Sequence, residues 1–133
     1  MRYHIKEDLR RLKETRSPAE RNELAMKLSE TKDPAVASTL CGLIQDPSLK
    51  EERGTLVHCL GNFEYSGMFY LLVELVVSGN WEVAHESFQL LDHLDELKGP
   101  QVPRARELIA KSLVDCREDW RKDLLRELDS MFD

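Results

Sequence analysis

Apolar residues return every three or four positions along most of this chain, which is the spacing of a helical face and not the alternation of a strand. The clearest stretch runs from Asp33 to Asn62. Val36, Leu40, Leu43 and Ile44 form one stripe, and Leu56, Val57 and Leu60 form a second. Asp33 suits an N-cap and Pro34 the opening turn, while Asp46-Pro47 ends the first helix because proline disfavours helical geometry in the residue before it. Ser48 and Glu51 stand at capping-box spacing, predicting a second helix over 48–61 that Gly61-Asn62 closes.

The same reading extends to both ends. A narrow stripe of Ile5, Leu9 and Leu12 predicts a helix over 3–14, and Ser17, Pro18 and Glu20 open another over 18–30 that buries Leu24, Ala25 and Leu28. The most apolar element spans 67–77, with Phe69, Leu71, Leu72, Leu75 and Val76, and Ser78-Gly79-Asn80 ends it. Asn80 then caps a helix over 81–97 through Ala84, Phe88, Leu91 and Leu94, which Gly99-Pro100 stops. Helices over 102–116, through Ala105, Leu108, Ile109 and Leu113, and over 119–132, through Trp120, Leu124, Leu125 and Leu128, complete an all-α chain of seven or eight helices.

Sliding the chain on itself by 32 residues places Arg21 on Arg53, Leu24 on Leu56, Leu28 on Leu60, Leu40 on Leu72 and Leu43 on Leu75. Periods of this length mark stacked helix pairs. The ordered set Asp33-Pro34-Ala35-Val36, Leu40, Leu43, Asp46, Arg53 and Leu60-Gly61 resembles a HEAT-like repeat; Gly54 departs from it and softens the start of its helix. The resemblance implies a right-handed stack of antiparallel pairs in a single domain over 1–133. Residues 1–16 would be a capping helix, 17–98 the repeats and 101–133 a terminal pair. In such stacks the second helix of each pair lines the concave binding side, here 18–30, 48–61 and 81–97.

Composition adds little until charge is placed along the chain. The 133 residues carry 19 basic and 25 acidic side chains. Between Thr55 and Leu97 there is no lysine or arginine, whereas Glu64, Glu74, Glu82, Glu86, Asp92, Asp95 and Glu96 are all acidic. A binder of nucleic acid needs clustered basic residues to displace counterions, so no nucleic-acid partner is expected. No apolar run approaches the roughly 18 residues of a membrane span, and the charged start is unlike a signal peptide, so the expected setting is the cytoplasm with no membrane partner. Cys41, Cys59 and Cys116 are odd in number and lie on apolar faces, which favours buried thiols over a disulfide.

Glu82, Glu86, Gln89, His93 and Glu96 follow helical spacing and make one polar stripe, with Asp92 beside it. Such a stripe is either a solvated face, as charged helix faces usually are, or a docking surface for a basic partner, which the missing counter-charges support. Tyr65 and Trp81, at element ends beside the stripe, are either core aromatics or anchors of that surface.

Catalytic readings are weaker. His85-Glu86 is similar to the His-Glu pairs with which HEAT-like deoxyhypusine hydroxylases hold iron. The position one period earlier is Arg53-Gly54, and Glu82 with His85 alone leaves a divalent ion short of ligands. His58 and Cys59 are sequence neighbours, about 100° apart on a helix, and cannot act as base and nucleophile for each other. No catalytic residue, metal or cofactor is expected. The segment LVHCLGNFEY and the run MFYLLVELVV resemble small bacterial toxin-immunity proteins, which implies a non-catalytic protein that captures a basic toxin domain. A HEAT-like enzyme or lyase subunit, or a scaffold in a larger assembly, is the alternative.

Overall fold

Eight α-helices and no strand make up the described residues, 5–95 and 99–132 of the computed structural model. They are α1 (Ile5–Glu14), α2 (Pro18–Ser29), α3 (Pro34–Ile44), α4 (Gly54–Leu60), α5 (Phe69–Ser78), α6 (Trp81–Asp92), α7 (Gln101–Asp115) and α8 (Asp119–Ser130). The chain divides into two compact units, Met1–Glu64 and Tyr65–Asp133.

In the first unit α1 packs on α2 and α3, α2 on α3 and α4, and α3 on α4. Each helix therefore meets its successor and the one after that. The expected caps form: the Ser17 hydroxyl accepts from the Glu20 amide at 3.2 Å and the Asp33 carboxylate from the Ala35 amide at 2.9 Å. Leu12, Leu24, Ala25, Leu28, Val36, Leu40, Ile44, Leu56, Val57 and Leu60 are buried as their spacing predicts. Asp8 is buried too, which its charge did not suggest; Lys27 pairs with it at 3.1 Å.

The helix expected over 48–61 is corrected. The Ser48 amide and hydroxyl donate to the Asp46 carboxylate at 3.0 and 2.8 Å, closing a 3-10 turn at Pro47–Leu49 in place of the capping box. Those bonds hold the Asp46 carboxyl below its ordinary pKa. The α-helix starts only at Gly54, with no side-chain cap, so the weak helix former Gly54 marks its first turn. A 3-10 turn at Ser66–Met68 likewise precedes α5.

In the second unit α5 packs on α6, α7 and α8, and α8 also packs on α6 and α7. Asn80 caps α6, accepting from the Val83 amide at 2.9 Å. Gly79, just before that cap, has no room for a side chain: a Cβ there would lie 2.6 Å from both the Leu75 carbonyl oxygen and a Val83 methyl. Val73 and Val83 join the core, while Leu71, Phe88, Leu94, Leu108 and Leu113 are half-buried. Ser87 is fully buried, and its hydroxyl has no hydrogen-bond partner. Removing an unsatisfied buried hydroxyl relieves its desolvation cost, so Ser87→Ala should stabilise the fold by about 1 kcal/mol, read as a higher urea midpoint with unchanged slope.

Candidate functional site

Three buried arginines explain how the short helices are held, and one of them builds the floor of the candidate site. The last carbonyls of a helix have no partner within it. Arg21, from α2, donates to the Thr15 carbonyl just beyond α1 at 2.9 Å, and Arg53, beside α4, donates to the Ile44 carbonyl that ends α3 at 2.9 Å. Burial pushes the Arg53 guanidinium below its ordinary pKa, an effect the Glu51 charge partly opposes. One period after Arg53 stands His85, which does not take this role: its Nδ1–H donates to the Trp81 carbonyl on its own helix at 2.7 Å. The end of α5 is served instead by Arg121 of α8, which donates to the Val76 and Gly79 carbonyls at 2.7 and 2.6 Å. Its Nε also meets Glu118 at 2.6 Å.

Freed from capping, His85 stacks. Its ring lies 4.0 Å from that of Trp81, 28° from parallel, and 5.5 Å from that of Trp120 on α8. The Arg121 guanidinium covers the Trp120 ring at 4.5 Å. Trp81, His85, Trp120 and Arg121 thus form a ladder of flat groups running from α6 to α8. Its α6 end meets water, for Trp81 keeps 59% of its surface exposed. Cation and ring stacking of this kind fastens the two helices without burying either tryptophan completely.

The polar stripe lies on the same side of α6. Val83, Ala84, Ser87 and Leu91 face inward. Trp81, Glu82, Gln89, Asp92 and His93 are exposed and Glu86 is half-buried. The helix ends at Asp92 with His93 as its C-cap, so the expectation of one helix to Leu97 is corrected: the His93 Nδ1–H donates back to the Gln89 carbonyl at 2.7 Å. Such bonds satisfy carbonyls that the chain leaves behind as it turns out of the helix. Glu96 lies outside the described residues. Among the described residues no basic side chain pairs with Glu82 or Asp92. The formal charge is equally lopsided: the first unit has eleven basic and eleven acidic residues, the second eight and fourteen, so the whole net charge of −6 falls on the second.

Tyr65 stands apart from this surface in chemistry. It is half-buried and its hydroxyl donates to the Leu90 carbonyl of α6 at 2.6 Å, so the ring is tied into its own unit. Phe69 is core, edge-on to Phe132 at 5.9 Å, and Tyr70 lies under the Arg104 guanidinium at 4.1 Å. Trp120, expected in a buried stripe, is half-buried, and nothing in the spacing ties 81, 85 and 120 together.

The structure does not bring His58 and Cys59 together. His58 is exposed and Cys59 buried, on different sides of α4. The three cysteines form no disulfide; Cys41 and Cys116 are half-buried, more open than expected, and burial still pushes the Cys41 thiol above its ordinary pKa. Among the described residues no three His, Cys, Asp or Glu side chains are grouped to hold a metal ion, and no helix is long and apolar enough to cross a membrane. No protein-family model, curated protein or solved structure matches the chain.

Proposed function

We propose that this chain is a non-catalytic, HEAT-like binding module that captures a basic protein on the exposed face of α6, acting as an immunity protein against a cognate bacterial toxin. The observation that carries the reading is the pairing of an exposed indole, Trp81, with Glu82 and Asp92, two exposed carboxylates without ion-pair partners among the described residues, in a unit that holds the entire net negative charge. Interfaces draw much of their energy from a few aromatic anchors, and complementary charge speeds and selects the encounter. Toxins that cut nucleic acid carry basic grooves, so an acidic surface is the natural complement.

The HEAT-like part of the reading draws support from each unit separately. In the first, every helix packs on its successor and on the next but one, as stacked helix pairs require, and Arg21 and Arg53 repeat one capping role a period of 32 apart. In the second, α5 with α7 and α6 with α8 keep the next-but-one contact, although α5 rather than α6 is the helix that packs on α7, and α5 also meets α8.

The test is capture from the source cell by the tagged chain at low and high salt, with mass spectrometry, beside a Glu82→Lys/Asp92→Lys variant. The expected result is one basic protein, held in proportion, loosened by salt and lost with the variant. Several partners held equally by both proteins would favour a scaffold, and a coloured or metal-loaded preparation would favour a HEAT-like enzyme or lyase subunit.

A further inference from the structure

The stacked ladder shows what kind of side chain the exposed face is built to receive. Its inner indole, Trp120, already carries a guanidinium, that of Arg121, at 4.5 Å. Its outer indole, Trp81, has one face against His85 at 4.0 Å and keeps 59% of its surface in water, as a ring covered on one face only would. The same flat, electron-rich surface that holds a cation inside the unit is therefore repeated at its edge without one. Glu82 is the next residue, about 100° round the helix, and is exposed, so its carboxylate places negative charge beside the indole on the same turn.

We propose that the open face of Trp81 is a seat for an arginine of the partner, its guanidinium stacked on the indole and paired with Glu82. The inference rests on the reading of α6 as a docking face for a basic protein and narrows it to one side chain. Arginine fits better than lysine for two reasons. A planar guanidinium stacks over a ring and still directs N–H groups sideways to a carboxylate, whereas an ammonium is a compact, strongly hydrated charge that gives up more water to do either. Asp92, three turns along the same face and about 16 Å from Trp81 by helical rise, is too far to serve the same cation and would take a second basic residue.

The experiment is calorimetric titration of the whole chain at low salt with oligo-arginine and oligo-lysine peptides of equal length. The wild type should bind the arginine peptide about fivefold more tightly. Trp81→Ala should bring the arginine peptide down to the lysine level, and Trp81→Phe should recover part of the preference, since a smaller ring still stacks. Glu82→Lys/Asp92→Lys should weaken both peptides. An equal affinity of the wild type for both, or a preference that survives in Trp81→Ala, overturns the arginine seat. If both peptides then still bind and both are weakened by charge reversal, the basic-partner reading stands without it. Binding of neither peptide also overturns the seat, because stacking on an open ring needs no folded partner; the capture experiment then judges the broader reading alone.

Discussion

Replacing Arg121 with methionine should lower stability by about 3 kcal/mol, because it leaves two buried carbonyls unpaired and also removes the partner of the exposed Glu118 carboxylate. The guanidinium donates to the Val76 and Gly79 carbonyls and meets Glu118, and the residue is only 8% exposed. Methionine keeps most of the apolar stem, so the loss isolates the polar head. For a chain of this size the thermal midpoint should fall on the order of 10 °C. Arg121→Lys should recover less than half, since one ammonium cannot reach two carbonyls and a carboxylate with the geometry of a fork. A loss within about 0.5 kcal/mol of zero would mean that the α5 end is satisfied without α8. Removing Arg121 also takes the guanidinium from the Trp120 ring, so a shift in indole fluorescence should accompany the loss.

Much of the helix content was legible because period and punctuation agree. Pro34, Gly79 and Asn80 act locally, and most of the stripe residues they bound are buried where the spacing puts them, Leu71, Phe88 and Leu94 being half-buried. Two boundaries were not legible, for different reasons. At 46–54 the residues spell a capping box, yet Asp46 outcompetes Ser48 by accepting both of its donors first, and the helix waits until Gly54. At 92–93 His93 reads as another polar residue of the stripe, whereas its ring turns back to the Gln89 carbonyl as the helix ends. The candidate site was half legible. Charge is written in composition, so the acidic face could be read directly. The ladder depends on Trp120 and Arg121, which lie some 35 to 40 residues beyond Trp81 and His85, and only the packing of α8 on α6 brings them together. The break in the arginine period at His85 was the available signal: the α5 end needed a donor from elsewhere, and Arg121 was the buried candidate.

Reversing Glu82 and Asp92 to lysine should slow association with the basic partner by about tenfold or more at low salt, while dissociation changes much less. The two carboxylates are about 15 Å apart by helical rise, and the Debye length is about 8 Å at physiological ionic strength and about 30 Å at 0.01 M. At physiological salt each charge then meets its own neighbourhood of the partner, so the single reversals should add in the logarithm of the rate. At low salt both act on the same approaching charge, and the association rate of the wild type should rise steeply while that of the double variant stays flat. Trp81→Ala should behave oppositely, because an apolar contact forms only after docking: it should speed dissociation and leave association and its salt dependence nearly intact. Stopped-flow or surface-binding kinetics over a salt series separates the two. If charge reversal acts on dissociation alone, the acidic face is contacted but does not steer. If neither substitution alters either rate, the partner docks elsewhere, and the exposed residues of α6 serve only to keep that helix in water.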